Sequence, residues 1–211
     1  MIRLVIFDLD GTLVDDYETI QKALNYTLLK IKIPEQTLDA VKKDVGLGLE
    51  NMLSKFIPEG MIKDAVLIYR EKYSKILGTH TKVLPFVEET LKRLKELGVK
   101  IAVASNKTGN FSRKLVKMFP IHKHIDLVLC GDDVQNHKPA PELLLQIIKY
   151  FNVPKEDTLY VGDMTIDIET GKNAGIKTIA VLTGSNDFET LKKSKAEYIH
   201  QNISCVLQYI T

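Results

Sequence analysis

The sequence predicts an α/β protein: a parallel sheet with helices on both faces, interrupted early by an all-helical insertion. Three observations predict it. Short runs rich in β-branched and aromatic residues recur along the chain, amphipathic helical patterns alternate with the later runs, and one long stretch near the start keeps helical spacing with no convincing strand. Strands alternating with helices imply right-handed crossovers, and therefore a parallel sheet covered on both sides.

Residues 3–7, Arg3 followed by the apolar run Leu4–Phe7, are read as a fully buried strand. From Asp15 to His80 the spacing is helical. Ile20, Leu24, Leu28 and Ile31 mark one helix, Leu38 and Val41 a second, residues 49–56 a third and residues 62–76 a fourth, with breaks at Pro34 and Pro58. An ordinary crossover needs about a dozen residues. The stretch 15–80 therefore reads as a helical domain inserted after strand one, leaving residues 1–14 and 81–211 as a discontinuous core. Further strands are expected at 99–104, 125–129, 158–161 and 177–181. Ahead of the first of these lies a helix with Pro85 at its first position, Val87, Leu91, Leu94 and Leu97 along one face, and Gly98 as its stop. Phe111, Leu115 and Met118 mark the next helix, and residues 143–151 the one after.

Composition narrows the function classes. A chain of 211 residues fits one domain with an insertion, and one this long folds without disulfides or a structural metal. A formal net charge of +2 is too small for a nucleic-acid or anionic-membrane footprint. Asp8 cuts short the first apolar run, and no stretch approaches the roughly 18 apolar residues of a membrane span. Cys130 and Cys205 form no paired motif and read as small buried hydrophobes in a reducing compartment. The expectation is a cytoplasmic protein with no nucleic-acid or membrane partner.

Four groups stand at the carboxyl ends of the expected strands, where open α/β sheets place their ligands. They are Asp8-Leu9-Asp10-Gly11-Thr12, Ser105-Asn106-Lys107, Lys138-Pro139 at the end of a loop, and Gly162-Asp163-Met164-Thr165-Ile166-Asp167. Asp8 and Asp10, two apart, project from one face if the strand persists. Carboxylates about 4 Å apart repel by roughly 4 kcal/mol at an effective dielectric of about 20. A divalent cation or a retained proton relieves this; the alternative is a turn in which both accept backbone N–H groups. Asp163 and Asp167 share one side of a first helical turn, as metal ligands or as caps. Hard oxygen ligands with open positions describe Mg²⁺. Lys138 reads as a phosphate ligand or a loop cation, and Ser105 with Asn106 as phosphate donors or helix caps. Together the set describes phosphoryl transfer, with an Asp attacking phosphorus to give an aspartyl phosphate.

On the motifs Phe7-Asp8-Leu9-Asp10-Gly11-Thr12-Leu13, Ala104-Ser105-Asn106-Lys107, Lys138-Pro139-Ala140-Pro141-Glu142 and Gly162 to Asp167, in that order, the chain resembles the haloacid dehalogenase-like superfamily. The likeness covers essentially the whole chain and points to the phosphatase branch with a helical C1-type cap. It implies a Rossmann-like core, Asp8 as nucleophile and metal ligand, and Asp10 as general acid and base whose backbone carbonyl also meets the metal. It implies that Ser105, Asn106 and Lys138 bind the phosphoryl group, that Asp163 and Asp167 complete a Mg²⁺ site, and that Gly11 and Thr12 open a flap into the cap. Asp at position 10 sets the chain apart from P-type ATPases, which carry Thr there, and from the dehalogenases, which lack that acid.

Substrate choice is left to the cap. Gly46-Leu47-Gly48 is a candidate specificity loop, because two glycines let the backbone approach a small ligand, or else a turn between helices. Lys42, Lys43, Lys55 and Arg70 are solvated charges or partners for a substrate carboxylate, and His122 and His124 are surface residues. The resemblance runs closest to the phosphoglycolate phosphatase group. It implies Mg²⁺-dependent hydrolysis of a small phosphomonoester, phosphoglycolate-like, by a monomer or homodimer. A sugar phosphomutase of the β-phosphoglucomutase type and an inorganic pyrophosphatase are the alternatives on the same scaffold.

Overall fold

The structure, a computed structural model, describes residues 1–210. The elements follow in chain order as β1 (Leu4–Phe7), β2 (Val14–Asp15), α1 (Tyr17–Lys30), α2 (Leu38–Lys42), α3 (Leu49–Ser54), α4 (Ile62–Ile76) and β3 (Lys82–Val83). Then come α5 (Val87–Glu96), β4 (Lys100–Ser105), α6 (Gly109–Met118), β5 (Leu127–Cys130), α7 (Glu142–Phe151) and β6 (Thr158–Gly162). The chain closes with α8 (Thr165–Ala174), β7 (Lys177–Val181), α9 (Phe188–Lys193) and β8 (Tyr198–His200).

Six strands make one wholly parallel sheet in the order β5-β4-β1-β6-β7-β8. Successive side chains of a strand point to opposite faces, so β1 feeds two cores. Val5 and Phe7 join Leu91 and Leu94 of α5 and Leu115 of α6. Leu4 and Ile6 join Leu143 and Ile147 of α7 and Ala174 of α8. Burial on both faces is what a continuous apolar strand requires. From β1 the chain steps outward to β4 and β5, then crosses back to β6 on the other side of β1. That reversal opens a crevice at the carboxyl ends of the central strands.

Between β2 and β3 every regular element is a helix. β2 and β3 pair antiparallel, Val14 with Val83 and Asp15 with Lys82, and form a two-stranded ribbon at the root of this insertion. Helices α1 to α4 bury a separate apolar cluster around Ile20, Leu24, Leu28, Leu53 and Tyr73, which Phe111 of α6 joins from the sheet side.

Several boundaries differ from expectation for local reasons. Pro85 precedes α5 rather than opening it, because Phe86 takes a left-handed conformation at φ 66° and the helix begins at Val87. The strand expected from residue 125 begins at Leu127, because the Asp126 carboxylate accepts both the Ile101 N–H and the Lys95 ammonium at the sheet end. The short strands β2, β3 and β8 carry too few residues to show alternation. Both cysteines are buried and free. Among the described residues no helix is long and apolar enough to cross a membrane.

Candidate active site

Asp8 is the first residue past β1, and its N–H still bonds the Val161 carbonyl of β6. The backbone then turns at Gly11, whose φ of +85° and whose approach to Tyr17 and Asp163 leave no room for a Cβ. Thr12 Oγ1 donates to Asp163 Oδ1 at 3.2 Å, and the Ser185 N–H donates to Asp163 Oδ2 at 2.6 Å. The Asp167 Oδ2 accepts the Met164 N–H at the head of α8 (3.0 Å), so it caps that helix as well as facing the site. Ligand oxygens of Asp8, Asp163 and Asp167 all lie within 4.8 Å of one another, and all three residues are buried.

Lys138 closes this cluster. Its Nζ donates to Asp8 Oδ1 at 2.8 Å, to Asp167 Oδ1 at 2.7 Å and to the Tyr160 hydroxyl at 3.0 Å, and Tyr160 in turn donates to Asp167 Oδ1 at 2.6 Å. Burial would neutralise this lysine, but the Asp167 and Asp8 carboxylates hold its pKa well above the usual value. Burial is also the main cause that pushes Asp8 up; Lys138 opposes it, Asp167 and Asp10 add to it, and the carboxyl ends at about 7. Asp163 is likewise held well above its ordinary value, by burial first and then by its neighbours Asp167 and Asp8. Three crowded, desolvated carboxylates against one ammonium leave unneutralised charge, and a hard, oxygen-seeking divalent cation fits that donor set.

The Asp10 carboxylate lies outside this triad and has its own cation. Lys107 Nζ donates to both Asp10 oxygens at 2.9 and 3.1 Å and to Asp16 Oδ2 at 2.6 Å. Asp16, fully buried where the chain enters α1, also accepts the hydroxyls of Tyr73 from α4 and Thr81 from the returning strand. Burial raises Asp10 despite Lys107. Burial pushes Asp16 the same way, but the Lys107 charge and three hydrogen bonds outweigh it and hold Asp16 below its ordinary value.

Of the expected residues, Asp8, Asp163, Asp167 and Lys138 meet in one cluster, and Ser105 and Asp10 line the adjoining cavity with Asp8. Asn106 is placed differently from a phosphate donor. Its Nδ2 donates to the Gly46 and Lys138 carbonyls and its Oδ1 accepts the Lys138 N–H, so both amide hydrogens are spent on fixing Lys138 against the insertion. Gly46 and Gly48, at φ +106° and +88°, line the cavity, while Leu47 does not; Gly48 also starts α3, so loop and turn coincide. Lys42 lies 4.8 Å from the centre of the Tyr17 ring, and Lys43, Lys55 and Arg70 are exposed. Lys107, Asp16, Tyr73 and Tyr160 were not assigned roles by the sequence. Lys107 lies within a motif, whereas the two tyrosines fall among apolar residues and Asp16 at the start of the helical stretch.

A carboxylate cluster at the reversal of a parallel sheet, roofed by a helical insertion, defines a class, and the chain belongs to it: it matches the haloacid dehalogenase-like hydrolase family over residues 5–181. It is 36% identical over 182 residues to a protein of Aquifex aeolicus (strain VF5) named phosphoglycolate phosphatase, covering 86% of this chain and 85% of that one. It is 34% identical over 213 residues to a protein of Caldanaerobacter subterraneus provisionally named pyrophosphatase PpaX, covering 99% and 94%. The crystal structure of a predicted phosphoglycolate phosphatase from Haemophilus somnus 129PT shares the fold at a TM-score of 0.91 and 24% identity, over 100% of this chain and 98% of that one.

Proposed function

We propose that the chain is a Mg²⁺-dependent hydrolase of small phosphomonoesters in the cytoplasm, working through an aspartyl phosphate on Asp8. The supporting observation is the Asp8 carboxylate, buried at the end of the central strand, tied by one oxygen to Lys138 and opening on a cavity shared with Asp10 and Ser105. Asp8 attacks phosphorus while the ester oxygen leaves. Asp10, which burial pushes toward its protonated form, gives that oxygen its proton. Asp10 then takes a proton from the water that attacks the aspartyl phosphate, releasing inorganic phosphate and restoring Asp8. The Lys138 ammonium and the Ser105 hydroxyl lower the charge of the transferring group. Asp8, Asp163, Asp167 and the Asp10 carbonyl would hold Mg²⁺, which supplies charge neutralisation at the phosphoryl oxygens. Residues 15–80 act as a cap that shuts water out of the cavity.

The relatives' names make phosphoglycolate and pyrophosphate the first compounds to assay, alongside sugar phosphates. The test is inorganic phosphate release with Mg²⁺, again with EDTA, and with Asp8→Asn. Release is expected only from wild-type protein with metal; turnover surviving in EDTA or in Asp8→Asn would refute the mechanism.

A further inference from the structure

The cavity is small, with about 60 Å³ available to the centre of a water molecule, room for roughly four to six waters. Beyond its phosphoryl end the wall is apolar: Ile20, Val45, Leu49, Met52 and Phe111. Two polar side chains, Thr108 and Tyr69, interrupt it. Tyr69 of α4 is 5% exposed and stacks on Tyr73 with ring centres 5.6 Å apart, which fixes its ring. Among the described residues its hydroxyl meets no hydrogen-bond partner. No fully enclosed side-chain oxygen there is left unpaired, so this hydroxyl opens onto the cavity it lines. The one cation in the wall, Lys107, is already shared by Asp10 and Asp16, a trio that carries a net negative charge when both acids are ionised. Arg70 lines an adjoining groove, on the far side of Gly48, Leu49 and Thr108, where it faces Glu50 and Asp132.

We infer that the leaving-group compartment is built for an uncharged alcohol, largely apolar with one oxygen within reach of Tyr69, and that Tyr69 sets this specificity. The inference rests on the phosphatase reading and narrows its substrate class. A carboxylate or a second phosphate would be desolvated against apolar walls, where the one lining cation, Lys107, is already bonded to Asp10 and Asp16. A hydroxyl or ether oxygen would instead supply the bond that the Tyr69 hydroxyl lacks, and discrimination is largest where a site's buried polar group would otherwise stay unpaired.

The experiment compares kcat/KM with Mg²⁺ for propyl phosphate, 2-hydroxyethyl phosphate, 2-phosphoglycolate and pyrophosphate. The neutral esters should exceed both acidic compounds by at least about tenfold, the scale of one pocket contact. Leu49→Lys, at a half-buried position on the wall, should shift the preference toward 2-phosphoglycolate. Tyr69→Phe should erase most of the advantage of 2-hydroxyethyl over propyl phosphate. If wild-type protein turns over 2-phosphoglycolate or pyrophosphate as well as the neutral esters, the compartment is not neutral and the inference falls. An unchanged ratio in Tyr69→Phe removes Tyr69 from it. Phosphate release from none of the four compounds would instead sink the phosphatase reading, and this inference with it.

Discussion

Lys138, buried, and Lys107, partly buried, each lie between two carboxylates, with a tyrosine hydroxyl bonded to the second. Lys138 bridges Asp8 and Asp167, with Tyr160 on Asp167. Lys107 bridges Asp10 and Asp16, with Tyr73 on Asp16. The wiring matches and the framework does not. Asp8, Tyr160 and Asp167 sit on or beside β1, β6 and α8, all parts of the sheet and its covering helices. Asp16, Tyr73 and Thr81 belong to the insertion and its roots. The half of the site proposed to hold the nucleophile is therefore fixed by the sheet, whereas the half proposed to move protons depends on the pose of the insertion. A cap that closes over substrate would need that kind of link.

The comparison can be broken at several depths. Asp8→Asn removes the proposed nucleophile and should lower kcat by several orders of magnitude; Asp10→Asn should lower it roughly 10²–10⁴-fold, the worth of general acid–base help. Both are read from steady-state phosphate release, and a tenfold loss or less in either would end the assigned roles. Lys138→Met leaves Asp8 and Asp167 buried without a cation. Breaking such a pair costs about 3–5 kcal/mol, so urea unfolding of the metal-free variant should show a large loss of stability along with the loss of turnover. An unchanged unfolding midpoint would contradict the role drawn for Lys138. Asp16→Asn is milder, because Lys107 keeps Asp10: a fall in kcat of about tenfold with KM nearly constant is expected, as general acid–base efficiency depends on the placement of the proton donor. A change confined to KM would place Asp16 in substrate binding instead.

The smallest effect is one of pH. Asp8 has a folded pKa near 7 against 3.8 for an unperturbed carboxyl, so the folded state holds its proton more tightly than the unfolded one. Its contribution favours the fold on the acid side and is lost as pH rises through 7. The melting temperature of metal-free protein should therefore fall between pH 6 and 8, by less after Mg²⁺ is added and by less in Asp8→Asn. A melting temperature that rises over this window would show that burial does not hold the Asp8 proton in the folded state.

The parts of this site that the sequence made legible are those where chemistry coincides with chain order. Asp8, Lys138, Asp163 and Asp167 each follow an element whose apolar run or helical pattern could be read, so a parallel sheet had to gather them. The Lys107 half was hidden because its partners come from elements whose packing no periodicity encodes. Tyr73 occupies an apolar position of α4 and donates a hydroxyl, and Asp16 precedes α1 with its side chain turned to Lys107 rather than capping the helix. The bonding of the Asn106 side chain was hidden for a related reason. A polar residue at a strand end suggests a ligand, while its actual partners, the Lys138 backbone and Gly46, lie far away in the chain.

The central claim is that the two halves divide the reaction, Asp8 taking the phosphoryl group and Asp10 being needed to release it. Acetyl phosphate, whose leaving group needs little protonation, separates the two steps when it is mixed with Asp10→Asn and Mg²⁺ and the intact protein is analysed by mass spectrometry. The expected result is a phosphorylated protein that accumulates, maps to Asp8 and is absent in Asp8→Asn. Phosphate released with no covalent species, or a phosphoryl group found on another residue, would contradict it.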